Sequence, residues 1–125
     1  MVETASQPQI LNLPEEGCYT LLMIDPDAGK TKPNDPRPGN YYLHWLVVNI
    51  SAGDLESGKE IVSYQKPTPP PGTGKHEYIF QLYSQPCSLM TGLRAPNSLS
   101  NWSLNDFLRG KNLRRINQTS MFVEA

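Results

Sequence analysis

The chain has 125 residues, the size of one domain with a single hydrophobic core, so we expect one domain over residues 1–125. Its 11 basic and 12 acidic residues give a formal net charge of -1, which argues against recruitment of nucleic acid or of an anionic membrane by overall charge. No apolar run reaches the roughly 20 residues that span a bilayer, and residues 1–8 are polar, unlike a secretion signal. We therefore predict a cytoplasmic protein with no transmembrane segment and at most peripheral membrane contact.

Three apolar runs predict strands. Twelve prolines and nine glycines separate short apolar stretches, a composition typical of a mainly β domain. Residues 19–24 and 43–50 are apolar on both faces, which is typical of central strands covered on two sides. Residues 77–83 place Tyr78, Phe80 and Leu82 on one face and mostly polar side chains on the other. This pattern predicts a third strand that is half covered.

Two long loops lie between the predicted strands. Residues 25–40 contain four prolines and two glycines, and ordered connections of this length are usually functional. Residues 66–75 contain the proline-rich stretch 67–71, which restricts the backbone and removes hydrogen-bond donors. This stretch suits either a polyproline ligand of a partner domain or the stiff wall of a pocket. Its short length and flanking strands favour the pocket wall.

One helix is predicted near the end of the chain. Ser103 with Asp106 three residues later resembles a capping box, Trp102 can pack on Phe107, and Gly110 supplies a stop. These signals predict a helix over residues 104–109. Residues 120–124 then read as a last short strand, and the basic residues between 109 and 115 predict a solvated face rather than a phosphate site.

The cysteines and the glycosylation sequons carry no function in a cytoplasmic chain. Cys18 and Cys87 can form a disulfide if the fold brings them close, but without a secretion signal we expect them to remain reduced and to act as packing residues. Sequons begin at Asn49, Asn101 and Asn117, and they matter only if the chain is secreted. We interpret them as chance matches.

The two histidines of the chain stand where loops meet predicted strands. His44 opens the second apolar run and His76 closes the second loop, which is a common location for binding groups held by a rigid sheet. A histidine beside an apolar strand is more often a hydrogen-bonded structural residue, and that alternative stays open for each histidine considered alone. His76 and Tyr78 lie two apart and face the same way, so both can donate to one anion.

Acidic residues can complete this cluster. Asp25 ends the first strand and Asp27 follows it, so a carboxylate can lie beside an imidazole and raise its pKa. The alternative is turn chemistry in Asp-Pro-Asp, which we favour for Asp27 and weigh equally for Asp25. The short ligand spacing of a zinc motif and the Gly-x-Ser-x-Gly elbow of a serine hydrolase are both missing from the sequence. We therefore predict no metal site, no cofactor and no catalytic residue, and a metal-assisted hydrolase using Asp25, His44 and His76 is the weakest alternative.

Four linked blocks between residues 17 and 85 resemble the phosphatidylethanolamine-binding protein family, which includes the Raf kinase inhibitor proteins and the plant flowering regulators. The matching segments are Tyr19-Thr20-Leu21 followed by Asp25-Pro26-Asp27-Ala28, the run His44-Trp45-Leu46-Val47-Val48-Asn49-Ile50, Tyr64, and Pro69-Pro70 followed by Gly72-Thr73-Gly74, His76 and Tyr78. The blocks occur in the family's order and near its spacing, which is far more specific than any one block.

The resemblance implies a large central β-sheet with a smaller sheet, one or two short peripheral helices, and a small anion pocket at the sheet edge. Carried over residue by residue, the ligand-binding positions are Asp25, His44, Pro69, Pro70, His76 and Tyr78. Asp27, Tyr42 and Gly74 are expected to support these residues from behind.

The chain departs from the family pattern in three places, one of which is a slightly longer segment over residues 30–40. Gly29 stands where the family usually has proline, which predicts a looser pocket rim. The sequence ends at Ala125, soon after the family's last strand, so the C-terminal helix that helps to close the pocket in animal members is expected to be missing. A more open pocket, or a homodimer that covers this surface, is the expected consequence.

These expectations define a non-catalytic binding and regulatory protein that holds a phosphate-bearing group, either a phospholipid headgroup or a phosphorylated residue. Inhibition of a kinase or a protease through the rim of the pocket is the alternative from a different class.

Overall fold

Mainly β structure is found, as predicted. The computed structural model describes residues 16–26, 41–51, 53–66, 75–88, 90–100 and 102–124. Its strands are β1 (Cys18–Asp25), β2 (Tyr42–Ser51), β3 (Lys59–Val62), β4 (Lys75–Gln85) and β5 (Arg114–Glu124). A 3₁₀ helix spans Leu55–Ser57 and the helix α1 spans Leu104–Leu108. The strands form one antiparallel sheet in the order β3-β2-β1-β4-β5, and the smaller sheet that the resemblance implied is not among the described residues.

The two predicted central strands lie at the centre of the sheet. Every residue of β1 is buried, and so are most residues of β2, because apolar side chains alternate to both faces. The first face carries a buried cluster made of Tyr19, Leu21, Met23, Trp45, Val47, Ile50, Tyr78, Phe80 and Leu82. The second face carries Leu22, Ile24, Leu43, Leu46, Val48, Val62 and Tyr83, with side chains of α1 and its flanking segments packed against them.

Strand β4 is covered more completely than its sequence predicts. Gln81 and Tyr83 point away from the first-face cluster, yet both are buried. The Tyr83 hydroxyl donates to Gln81 Oε1 at 2.6 Å, and Gln81 Nε2 donates to Gln118 Oε1 at 2.8 Å. This pairing satisfies the polar groups and allows a polar face to be buried, so the half-covered prediction is wrong for the second half of the strand.

The predicted capping of α1 is present. Ser103 accepts a hydrogen bond from the Asp106 backbone N–H at 3.2 Å, and the rings of Trp102 and Phe107 lie 5.5 Å apart. The helix ends at Leu108, one residue earlier than predicted, and Gly110 follows with a φ of +74°. No helix in the described part of the chain is long and apolar enough to cross a membrane.

The structure joins the two cysteines in a disulfide, so the expectation of two reduced thiols is wrong. Cys18 and Cys87 are bonded, with their Cα atoms 5.2 Å apart across a sequence separation of 69 residues. The cause is the antiparallel register of β1 and β4. It pairs Cys18 with Gln85, so Cys87, two positions after Gln85, lies beside Cys18.

Buried amide groups lie next to the disulfide. Gln85 Oε1 accepts from the Thr20 hydroxyl at 2.6 Å and from the Asn49 backbone N–H at 3.2 Å. Gln85 Nε2 donates to Asn49 Oδ1 at 2.9 Å, and the Asn49 side chain also bonds the backbone N–H and carbonyl of Met90, each at 2.9 Å. We call Thr20, Asn49 and Gln85 the amide cluster. It ties the chain after β4 to the end of the sheet.

Candidate functional site

The strand pairing brings the predicted binding residues to one end of the sheet. Strand β1 ends at Asp25, which pairs with Tyr42 at the start of β2. On the other side of β1, Ile24 pairs with Ile79 near the start of β4. Antiparallel pairing therefore places the end of β1 beside the beginnings of both neighbours. The loop-to-strand junctions that hold the two histidines meet at this end.

Asp25 lies beside His76 in the interior. His76 Nδ1 is 3.3 Å from Asp25 Oδ2, and the two side chains are only 2% and 7% exposed. An ionised carboxylate accepts a hydrogen bond and cannot donate one, so the contact requires the proton on Nδ1 of the imidazole. The carboxylate therefore fixes the tautomer of His76, in which Nδ1 carries the proton and Nε2 is the second polar atom of the ring.

A β-bulge sets the direction of His44. Met23 pairs with Trp45 while Ile24 pairs with Leu43, so His44 is the extra residue between them. Simple alternation would turn His44 away from the face that holds Trp45. Instead the His44 ring contacts Tyr78 of the first-face cluster edge-on, with ring centroids 5.2 Å apart. The bulge is the local feature that brings His44 onto the same face as His76.

His44 is held by the backbone of Gln65. Its Nδ1 lies 2.9 Å from the Gln65 carbonyl oxygen, an acceptor, so Nδ1 carries the proton and Nε2 is the acceptor of the neutral ring. Burial lowers the pKa of His44 below its usual value of 6.5, and the Gln65 hydrogen bond and the charge of Asp25 partly offset this effect. The neutral ring is therefore favoured unless a nearby anion stabilises the positive charge that a proton on Nε2 would create.

Aromatic rings surround the imidazoles. The His76 and Tyr78 rings are stacked with centroids 6.3 Å apart, as expected for side chains two apart on one strand. The Tyr42 ring lies 4.7 Å from the His44 ring, and the Tyr42 hydroxyl donates to Gln65 Oε1 at 3.1 Å. Tyr42 thus packs against the side of His44, and its supporting role in binding stays a prediction.

Gln65 is the component of the cluster that sequence reasoning missed. Its carbonyl holds His44, its side chain holds Tyr42, and its backbone N–H donates to the His44 carbonyl at 3.0 Å. It follows β3 in a segment without regular structure, where no periodicity identifies its role. The only available signal was its position near the start of the proline-rich loop.

Four predicted residues lie outside the described part of the chain. These are Asp27, Pro69, Pro70 and Gly74. The described residues contain no group of three or more His, Cys, Asp or Glu side chains placed to hold a metal ion. The predicted residues that are described, Asp25, Tyr42, His44, His76 and Tyr78, form the cluster together with Gln65, and their roles in binding stay predictions.

Fold and cluster together define a class of small, mainly β protein with a buried, titratable strand-end site. The chain belongs to the phosphatidylethanolamine-binding protein family, whose model matches residues 3–122. The family predicted from the four sequence blocks is confirmed.

Individual relatives agree with this assignment. The chain is 43% identical over 79 residues to Protein MOTHER of FT and TFL1 homolog 2 from Oryza sativa subsp. japonica, a match covering 62% of this chain and 42% of the rice protein. It is 35% identical over 75 residues to the 26 kDa secreted antigen of Toxocara canis, covering 60% of this chain and 28% of that protein. These matches span less than half the length of either curated relative.

Solved structures show the same fold. A carboxypeptidase Y inhibitor, solved in complex with its cognate proteinase, has a TM-score of 0.71 at 20% identity and covers 98% of this chain and 65% of the inhibitor structure. A phosphatidylethanolamine-binding protein from Plasmodium falciparum has a TM-score of 0.64 at 21% identity, covering 91% of this chain and 67% of that structure. At this identity the likeness concerns the fold alone.

Proposed function

We propose that the protein is a non-catalytic binding and regulatory protein that holds a phosphate-bearing group at His44, His76 and Tyr78. The observation that carries the proposal is the convergence of two imidazoles and a phenol on one face, with Asp25 in contact with His76. A phospholipid headgroup and a phosphorylated residue share this phosphate chemistry.

The donors of the cluster suit an anion. A ring whose Nδ1 proton is already engaged can present Nε2–H to a phosphate oxygen once it is protonated. Hydrogen bonds between charged partners are roughly twice as strong as neutral ones. Asp25 keeps His76 in the required tautomer and offsets the charge of the protonated ring.

Calorimetric titration with phosphoethanolamine and with inorganic phosphate tests the proposal. We expect His76→Ala to weaken phosphoethanolamine binding roughly 10- to 100-fold, because a hydrogen bond to a charged group contributes about 1.5–3 kcal/mol. Tighter binding of phosphoethanolamine than of phosphate would favour a lipid headgroup. Unchanged affinity in His76→Ala would remove the proposal.

A matched pair of tyrosine variants separates the site from general stability. Tyr78 lies in the cluster, whereas Tyr83 is buried on the second face and bonds Gln81. Both Tyr78→Phe and Tyr83→Phe delete one buried hydroxyl. We expect weaker phosphate binding in Tyr78→Phe only, and equal losses in both variants would contradict a local site.

Inhibition of a protease is the second candidate function. It is favoured by the fold shared with the carboxypeptidase Y inhibitor, whose structure was solved on its cognate proteinase. Residual activity of carboxypeptidase Y, titrated with this chain and with His76→Ala, provides the test. Inhibition by both proteins would indicate a rim surface that acts without the cluster, and no inhibition by either would exclude this target. Kinase inhibition has no comparable observation in its favour.

The cellular location is proposed from the disulfide. Disulfides persist in oxidising compartments and are rare in the cytosol, and the Toxocara canis relative is named a secreted antigen. We infer that the chain folds in an oxidising compartment, while the cytoplasmic location remains the contrary prediction from the sequence. Alkylation of thiols in the protein isolated without reductant distinguishes the two, because labelled Cys18 and Cys87 would contradict an oxidising compartment.

A further inference from the structure

The three sequons differ in whether the folded protein can accommodate a glycan on their asparagine. A chain that folds in an oxidising compartment of a eukaryotic cell passes the enzyme that transfers glycans to Asn-x-Ser/Thr. This step rests on the compartment proposed above and not on the phosphate site. The structure then decides which asparagine can carry a glycan and remain folded.

Asn49 cannot carry a glycan in the folded protein. Its side-chain nitrogen donates to the Met90 carbonyl at 2.9 Å, and its oxygen accepts from Gln85 and from the Met90 backbone. Both polar atoms are thus committed to the amide cluster. A sugar on the nitrogen would break this cluster and displace the chain after β4.

The second sequon has an engaged hydroxyl. Asn101 lies outside the described residues, but Ser103 of the same sequon caps α1 by accepting the Asp106 backbone N–H at 3.2 Å. Its hydroxyl therefore has a structural role at the start of the helix.

Asn117 has the opposite environment. It is exposed on β5, which lies at the edge of the described sheet and pairs with β4 only. Its oxygen accepts from the backbone N–H of Gln118 at 2.8 Å, and its nitrogen makes no hydrogen bond within the described part of the chain. A bulge precedes it, since Leu82 pairs with Asn117 and Tyr83 pairs with Arg115, which leaves the exposed Ile116 as the extra residue.

We propose that Asn117 is an N-glycosylation site of this protein. In the reaction, the Asn117 side-chain nitrogen attacks the anomeric carbon of an oligosaccharide carried on a lipid diphosphate. A C–N bond forms, the bond from the anomeric carbon to the diphosphate oxygen breaks, the amide loses one proton, and the lipid diphosphate leaves. No electron transfer is involved. A glycan here would also shield the outer edge of β5, where no other strand pairs among the described residues and where an exposed edge could offer a template to another chain.

The full chain, secreted from a eukaryotic cell behind a cleavable leader, provides the test. We expect an electrophoretic shift that a peptide N-glycosidase removes. This enzyme hydrolyses the amide bond between the glycosylated nitrogen and the side-chain carbonyl, so it should convert Asn117 to Asp, detected by mass spectrometry of the peptide. Asn117→Gln and Thr119→Ala should each abolish the shift, because the first replaces the asparagine of the sequon with an amide one methylene longer and the second removes the hydroxyl of the sequon. Thr119→Ser should retain it, since serine also completes the sequon.

Two further measurements keep the outcome decisive. Ser51→Ala removes the first sequon without touching Asn49, and it should leave the shift unchanged. Thiol labelling of the same secreted protein reports the disulfide independently. A disulfide-bonded wild-type chain without a glycan at position 117 overturns the proposal, and free thiols in that chain overturn the disulfide from which the compartment was inferred.

Discussion

The two ends of the central strands bury polar side chains in opposite ways. At one end, Asp25, His44 and His76 are ionisable, with Asp25 in contact with His76 and His44 bonded to the Gln65 carbonyl. At the other end, the amide cluster consists of neutral groups that satisfy one another, next to a covalent disulfide. Neutral amides that bond each other have no remaining demand for a ligand, whereas imidazoles change charge near neutral pH. We call the first of these ends the binding end, after the function proposed for it, and the second the clamping end of the sheet.

Removal of the disulfide is expected to have the largest effect, and it should spare the binding end. The disulfide closes a loop across a separation of 69 residues, and loss of a native disulfide typically costs about 2–5 kcal/mol. We expect the double variant Cys18→Ser and Cys87→Ser to lose this much unfolding free energy in urea. The folded fraction should bind phosphoethanolamine as the wild type does. A loss below about 1 kcal/mol would break the distinction between the two ends.

Truncation of the amide cluster is expected to have the next largest effect. Gln85→Ala leaves the Thr20 hydroxyl and the Asn49 backbone N–H without their shared acceptor, and each buried group left unsatisfied costs roughly 1–3 kcal/mol. Asn105→Ala deletes an exposed amide on α1 and should change the unfolding free energy by no more than about 0.5 kcal/mol. Equal effects of the two variants would show that the cluster does not clamp the chain.

Neutralisation of Asp25 should lower the unfolding free energy less than the two preceding changes do. Its clearer effect should be on the pKa of His44. Asparagine keeps an oxygen acceptor for His76, so the expected loss is about 1 kcal/mol, the difference between charged and neutral hydrogen bonds. Because the Asp25 charge raises the pKa of His44, Asp25→Asn should lower that pKa further. NMR titration of the imidazole C–H resonances, assigned with His76→Ala, measures the shift. An unchanged or raised His44 pKa would be the contrary result.

The smallest predicted effect is the pH dependence contributed by His44. Burial lowers its pKa in the folded state below 6.5, so the unfolded chain binds more protons in the interval between the two values. The unfolding free energy should therefore fall as the pH drops below about 6.5. His44→Gln should reduce this slope, and Gln85→Ala should retain it. A slope that persists in His44→Gln would assign the effect to another group.

The central strands could be predicted from sequence because their residues are apolar on both faces. This pattern identified β1, β2 and β4 within a few residues of their observed ends. Strand β5 begins at Arg114, six residues before the predicted start. Its first part was missed because residues 114–118 are all exposed and all except Ile116 are polar. A strand with solvent on both faces has no hydrophobic period to detect. The short β3 was missed for a similar reason.

The composition of the candidate site was predictable, but its geometry was not. The histidines at loop-to-strand junctions, and the Asp-Pro-Asp segment that follows the first strand, indicated which residues could lie close together. The bulge that turns His44 and the support from Gln65 depend on strand register, which one sequence does not specify. The pairing of Cys18 with Cys87 depends on register in the same way. Residue types alone could suggest the proposed binding end. The clamping end could be recognised only once the strand register was known.

The position of β1 at the centre of the sheet has a consequence during synthesis. Its second neighbour, β4, pairs with it through residues 55–67 positions later in the chain, from Ile24 with Ile79 to Cys18 with Gln85. At about 5–20 residues per second, a ribosome needs roughly 3–13 s to make that length. During this interval the edge of β1 that pairs with β4 in the folded sheet waits for its partner, so the centre of the sheet is completed late in synthesis.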